Sequence, residues 1–434
     1  MKTNILKSTI SRLKEQIKGE FAKNLFTLGT GTIIAQLIPV LASPFLTRIY
    51  TPSQFGLFAN YSAIMALLLV FFSGKFELAI ILPKTHKEAI NIVSLCFIVI
   101  FISTIFFSIV IIFSGNTIAK LLHNKELVQW LWLVPFGALF ASTYMVMNEW
   151  YIRKNNFLGL SKNKIANTFG ITVSSLVLGL IRVNLGLIVG QIIGQIFSSL
   201  SAFFNVLKYD KQYFKFISVR KIKYFAKKHI NFSKFFISGQ LISTLSGQAP
   251  IFILTSVFGI TATGLFAFTD RIMGVPMSFI GNAFRDVFKQ RAAIDYKNDG
   301  NCLRIYKKVT ISLIKVSILP FIIIFISAPS LFSFIFGNDW FQAGIYARIL
   351  SVMYFMSFIS MPLGWIFIIV EKPELDLLWQ ILNFFLTIIP LIIGVWSNST
   401  MFTIVLYGAG KSVSYFIYML MTYNLAKGKI NLLS

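Results

Sequence analysis

Apolar residues in this chain come in long runs separated by short polar segments. Twelve runs lie at about 25–47, 55–73, 88–113, 127–149, 163–181, 184–206, 233–258, 262–284, 309–333, 343–370, 375–396 and 400–424. Each is near the roughly 20 mainly apolar residues that carry a helix through a bilayer. The pattern predicts an all-α integral membrane protein with about 12 transmembrane helices. Residues 1–24 read differently. There Leu6, Ile10, Leu13, Ile17 and Phe21 recur every three or four positions, flanked by Lys7, Lys14 and Lys18. That spacing predicts an amphipathic helix lying on the membrane surface. The basic stretch is too long for a signal peptide and no small-residue cleavage site follows it.

Composition agrees with lipid as the solvent. Of 434 residues, 56% are hydrophobic and 13% charged, against about 25% charged in soluble domains. The net charge of +25 would suggest nucleic acid in a soluble protein, but here the basic residues alternate between loops. With a cytoplasmic N-terminus, the inner segments hold 32 of the 40 Lys and Arg and the outer segments hold four. This is the positive-inside asymmetry, and it places both termini in the cytoplasm. The densest basic stretch, 207–232, acts as an anchor on anionic membrane lipid. It divides the chain into bundles at 25–206 and 233–424, with a tail at 425–434. Two cysteines and three histidines make no metal or redox spacing, so no cofactor is expected.

The two halves repeat. Gly56-Leu57-Phe58-Ala59 with Ile64-Met65 matches Gly264-Leu265-Phe266-Ala267 with Ile272-Met273, an offset of 208. The same register pairs Gly31 with Gly239, Leu46-Thr47 with Leu254-Thr255 and Phe76 with Phe284, and gives 13 identities over positions 31–77. Six helices per half is an even number, so both halves cross in the same sense. A parallel pseudo-two-fold repeat of this kind predicts a substrate site between the halves and a rocking motion.

Four cations, Arg271, Lys315, Arg348 and Lys411, fall inside apolar runs. An ionised side chain there costs a few kcal/mol and usually faces protein or a wet cavity. Asp270 and Arg271 are adjacent, so a helix gives them different partners. Glu77 and Arg285 occupy equivalent positions in the two repeats. Opposite charges at that mouth would form a gate; otherwise both are simply solvated at the interface. Arg48 lies near the outer end of the first run, where it faces the cavity or snorkels. Arg48, Arg271, Arg285, Lys315, Arg348 and Lys411 outnumber the acidic Glu77, Asp270 and Glu149. That excess suits an anionic cargo, and phosphate or pyrophosphate matches Arg and Lys best. An inside-negative potential drives such an anion outward by about 2.3 kcal/mol per charge per 100 mV.

Several stretches carry a family resemblance. They are Leu46-Thr47-Arg48-Ile49-Tyr50-Thr51-Pro52 with Phe55-Gly56, then Phe76-Glu77-Leu78-Ala79-Ile80 with Leu82-Pro83. In the second half they are Asp270-Arg271-Ile272 with Pro276, Ile335-Phe336-Gly337 with Trp340 and Ala343-Gly344, and Pro362-Leu363. Taken in order, they resemble Wzx-type O-antigen and polysaccharide flippases, in the superfamily of MATE exporters and the lipid II flippase MurJ. The resemblance implies a V-shaped, alternating-access fold whose cavity is lined by the first, second, seventh and eighth spans. It puts Gln36, Arg48, Lys75, Glu77, Asp270, Arg271 and Arg285 near the cargo path, with Glu77, Asp270 and Lys75 in gating or ion coupling. It implies an undecaprenyl-pyrophosphate-linked glycan as cargo, an O-antigen or capsule repeat unit, in a bacterial inner membrane. Other polysaccharide assembly proteins become expected partners, and a proton or sodium gradient a possible energy source.

Other classes fit less well. Gly410-Lys411-Ser412 looks like the end of a phosphate-binding loop, but that loop needs glycine where Val405 stands. A drug or cation antiporter wants buried carboxylates, and these spans are richer in cations. A membrane glycan polymerase needs acid/base or metal-binding groups. The longest outer loop, 114–126, offers only His123 and Glu126 beside Lys120 and Lys125.

Overall fold

The computed structural model describes residues 27–121 and 128–428. The predicted surface helix 1–24 and the end of the predicted tail lie outside the described residues, which contain helices and turns but no strand. Nine helices among them are long and apolar enough to cross a membrane. One of these contains two predicted runs. Helix Val219–Pro276 is broken at Gly259, whose φ of 84° and ψ of 175° is a conformation that glycine tolerates and L-residues avoid. Helices Leu133–Arg153 and Phe157–Leu180 supply two more crossings. Their basic ends carry Asn148 and Glu149, or Lys162, Asn163 and Lys164, which lowers their hydropathy. The total is the twelve expected.

Helices outlast their apolar runs. The third, His86–Leu121, extends past residue 113, and Gly186–Phe214 runs into the basic stretch 207–232, which is non-helical only at 215–218. Leu303–Phe336 begins within the predicted inner segment 285–308, most of whose remainder is helix Asn282–Asp299. The reason is simple. The limit of an apolar run marks the lipid boundary, whereas Lys, Glu, Leu and Tyr beyond it still favour helix.

The chain forms two compact units. Among the described residues, the first comprises 27–42, 68–109 and 135–234; the second comprises 43–67, 110–121, 128–134 and 235–428. Polar contacts tie the basic end of the first unit. Asp210 accepts from Trp150 Nε1 at 2.9 Å and pairs with Lys154 Nζ at 2.9 Å. Arg153 donates to the carbonyls of Ile80 and Pro83, each at 2.9 Å, and so holds the turn after the Phe76–Ala79 helix. Asn91 donates to Phe216 O and accepts from Ser218 N, at 3.2 and 2.9 Å.

Apolar contacts frame the second unit. Trp340 is fully buried, with ring centroids 4.3 Å from Phe268 and 4.9 Å from Phe55. Its Nε1 donates to Thr47 O at 3.0 Å. A Cβ on Gly56 would run into the Ile260 carbonyl, and one on Gly264 would run into the Pro52 carbonyl. Pro52 and Ile260 stand 208 positions apart, as do Gly56 and Gly264. Reciprocal contact of this kind is what a two-fold relation produces: each repeat lays its glycine against the helix start of the other. Asn60 Nδ2 then donates to Thr255 Oγ1 at 2.8 Å, and Thr255 bonds Thr263 at 2.9 Å.

Candidate functional site

Two cavities lie within the second unit. The first has a volume of about 210 Å³ and includes Asp270 and Arg271 in its lining. Phe55, Phe58, Phe266, Phe268 and Tyr407 form its aromatic wall, and Gln248 adds an amide. Tyr354 OH donates to Asp270 Oδ1 at 2.6 Å. Arg271 makes no hydrogen bond or ion pair among the described residues, and neither does the Gln248 side chain. Adjacent residues were expected to look in different directions. Only Asp270 has a partner, Tyr354; Arg271 has none among the described residues, and the two open on one space.

The second cavity has a volume of about 470 Å³ and lies further along the same chain segment, from Gly274 through Gly281 to Arg285. Arg285 is its one ionisable group of either sign apart from the Tyr415 phenol. Asp286 stands 3.9 Å from Arg285 Nε, on the exposed side, and that Nε is buried without a hydrogen-bond partner. A π-helical turn, Met277–Gly281, joins the segments that carry the two cavities. Such turns frequently mark functional sites.

Lys411 sits between them on helix Thr400–Ala426. It is four residues from Tyr407 of the first cavity and four from Tyr415 of the second, so the three share a helix face. The ammonium is buried, donates to Asn383 Oδ1 at 2.8 Å and lies 5.3 Å from the Tyr415 ring centroid. Asn383 also accepts from Ser414 Oγ at 3.0 Å and donates to Ser246 Oγ at 3.3 Å. The group is a polar core built from three helices.

The other expected site residues are placed elsewhere. Lys315 is not among the cavity linings; it is exposed on the face of Leu303–Phe336 that also shows Ile311, Leu319 and Ile322. That is a lipid-type face, from which a lysine snorkels. Arg348 is exposed and donates to Ile326 O at 2.8 Å, three residues before Pro329, in the turn that the proline weakens. Its guanidinium is tied to backbone. Arg48 is exposed on Thr27–Ile49 and lines neither cavity.

In the first unit, Lys75 and Glu77 come together. Lys75 has a φ of 57° and its Nζ is 3.9 Å from Glu77 Oε1; Glu77 is buried and accepts from Ser73 Oγ at 2.5 Å. Glu77 thus has local partners of its own. Gln36 is half-buried in the same unit and is hydrogen-bonded or otherwise engaged. Charge alone missed Gln248, Tyr354, Asn383 and Tyr415. Uncharged polar residues in mid-run were the available signal.

The helices, the reciprocal repeat and the ionisable cavity lining define a multi-pass, all-α membrane protein with the two-bundle fold of MOP-superfamily transporters. A structure described as the lipid II flippase MurJ, inward closed conformation, superposes with a TM-score of 0.74 at 12% identity, covering 91% of this chain and 86% of that one. An inward-facing multidrug resistance MATE family transporter superposes at 0.67 and 15% identity, covering 89% and 93%. A MOP superfamily transporter from Pyrococcus furiosus does so at 0.60 and 15%, covering 93% and 96%. The chain belongs to the polysaccharide biosynthesis protein family, whose family model matches residues 45–345. No curated protein matches its sequence.

Proposed function

We propose that the chain is a flippase, not an enzyme, that moves an undecaprenyl-pyrophosphate-linked oligosaccharide from the inner to the outer leaflet of a bacterial inner membrane. The carrying observation is Arg271, an unpaired guanidinium on a cavity inside an apolar helix bundle. An ionised group in that position costs several kcal/mol, and an anionic or hydroxyl-rich guest returns that cost. Membership in a polysaccharide biosynthesis family supports a glycan as the guest. With both termini cytoplasmic, the membrane potential pulls the diphosphate outward, with or without a proton or sodium gradient. The two bundles alternate access while the polyprenyl tail stays in lipid. Asp270 on the same cavity is the one feature that favours a cationic guest, as in a drug antiporter.

The test is a proteoliposome assay. A fluorescent undecaprenyl diphosphate sugar is added, and its appearance in the opposite leaflet is timed with a membrane-impermeant quencher. Wild type accelerates translocation over empty liposomes. Arg271→Gln slows it roughly ten- to hundredfold, the worth of one charge-assisted hydrogen bond of about 1.5–3 kcal/mol. Extraction yield stays unchanged. No acceleration by wild type, with efflux of a cationic dye instead, would overturn the reading in favour of the antiporter.

A further inference from the structure

The first unit has a cavity of its own, at its basic end. Its volume of about 550 Å³ falls within the roughly 300–1,000 Å³ of small-molecule sites. The lining comes from the polar limits of three successive apolar runs. Tyr151 lies just past 127–149, Lys162 just before 163–181, and Asn205 and Tyr209 at the end of 184–206. These positions set the cavity at head-group depth, outside the hydrocarbon core of about 30 Å, where tyrosines also concentrate. Two lysines, Lys154 and Lys162, against one aspartate, Asp210, leave the lining one net positive charge. Asp210 and Lys154 hold each other at 2.9 Å, and Asp210 also accepts from Trp150, so neither charge is left for a ligand. Lys162 is exposed and makes no hydrogen bond or ion pair among the described residues. Asn156 caps helix Phe157–Leu180 through Oδ1, which accepts from Gly159 N at 2.9 Å, and keeps its Nδ2 donors for the cavity. One free ammonium beside amide and phenol groups suits a phosphodiester with a hydroxylated substituent.

The faces leading away from this cavity are apolar. Ile193, Phe197, Leu200 and Phe204 form one exposed stripe on helix Gly186–Phe214, at the three- and four-residue spacing of a single helix face. Phe169, Val173 and Val177 form another on Phe157–Leu180. Where the two helices touch, glycines bring them too close for an acyl chain to pass between: a Cβ on Gly194 would run into Ile171 N, and one on Gly190 into Ser175 N. A chain therefore lies along the outer stripes, with its head group at the cavity. A zwitterionic head group would bring an ammonium that needs a free carboxylate, and Asp210 is already engaged.

We infer that this cavity seats the head group of a singly charged anionic phospholipid, of the phosphatidylglycerol class, drawn from the leaflet at the basic end. Lys162 takes the phosphate, and Asn156 and Tyr209 take the glycerol hydroxyls. The site is separate from the cargo's and stands whether or not the cargo reading holds. It also differs from the general attraction of the stretch 207–232 to anionic lipid, which needs charge but no cavity and no particular lysine.

The experiment uses the full chain in detergent micelles, titrated with phosphatidylglycerol or phosphatidylethanolamine of matched acyl chains, with bound lipid read by native mass spectrometry. Wild type retains phosphatidylglycerol in preference to phosphatidylethanolamine. Lys162→Gln weakens phosphatidylglycerol by roughly tenfold or more, the loss of a hydrogen bond between charged groups, and Lys162→Arg restores it. Lys221→Gln removes the same charge from an exposed position that does not line the cavity, and leaves binding as in wild type. Rescue by arginine, with an unchanged unfolding midpoint in the absence of lipid, separates lost binding from lost folding. The assignment is overturned if Lys162→Gln retains phosphatidylglycerol as wild type does, or if Lys221→Gln weakens it as much. Equal retention of phosphatidylethanolamine overturns it too. Displacement of the lipid by an equal concentration of glycerophosphoglycerol or inorganic phosphate would also overturn it, in favour of a soluble phosphate as the ligand.

Discussion

The basic end of the first unit and the interior of the second use charge in opposite ways. In the first, Asp210 holds Lys154 and a tryptophan, and Arg153 holds the backbone carbonyls of a turn. In the second, Arg271 lines a cavity without a partner and Arg285 lines another with Asp286 3.9 Å away, while glycine, phenylalanine and tryptophan contacts hold the frame. A charge left without a partner, such as Arg271, is available to a guest. Lys154 and Asp210 also line a cavity, of about 550 Å³, but they hold each other, as Asn383 holds Lys411 in the second unit.

The largest effect that tests this contrast is Asp210→Ala. It removes the ion-pair partner of the Lys154 ammonium, which keeps only Tyr213 OH at 3.3 Å, and leaves the Trp150 indole N–H without its acceptor in a mostly buried place. Removing one partner of such a pair costs on the order of 3 kcal/mol. The unfolding midpoint of the solubilised protein falls and yield drops, while flipping per folded molecule stays at the wild-type rate. Normal stability with lost flipping would put Asp210 in the transport path and end the contrast.

Gly264→Ala comes next. The added methyl meets the Pro52 carbonyl, which belongs to backbone and cannot turn away. Overpacking of this kind costs about 2 kcal/mol. Gly56→Ala should cost a similar amount, because its methyl meets the equivalent carbonyl of Ile260. Thermal unfolding of the two variants measures both losses, and cargo binding should persist in each because neither methyl lines a cavity charge. A loss in one variant only would mean that the reciprocal packing is not energetically symmetric.

The fold was legible in the sequence because lipid allows few alternatives. Backbone polar groups in a bilayer must be satisfied internally, so each run had to be a helix. The 208-residue offset was legible for a related reason: Gly56 and Gly264 are fixed by a close approach that larger residues cannot make. Side-chain direction was harder to read. A span that is apolar nearly all round has no polar face to orient it, so Arg271, Lys315 and Arg348 looked alike as cations in apolar runs. Only packing separates them. Arg271 opens on a cavity, Arg348 bonds the Ile326 carbonyl beside a proline, and Lys315 looks outward. The partners Tyr354 and Asn383 were invisible for the opposite reason, since an uncharged polar residue raises no alarm until its neighbour across the bundle is known.

The smallest expected effect is therefore the sharpest test of direction. Lys315→Leu removes a cation from an apolar run, as Arg271→Gln does, yet it acts on a face already covered by Ile311, Leu319 and Ile322. A substitution away from any buried network changes stability by no more than about 0.5 kcal/mol. Unfolding midpoint and flipping rate should both match wild type, while Arg271→Gln in the same assay loses flipping alone. The two substitutions remove the same charge from the same kind of sequence, so a difference in outcome isolates what each side chain faces. Should Lys315→Leu slow flipping as much as Arg271→Gln does, net positive charge along the spans would be what drives the cargo, and the particular cavities would be incidental.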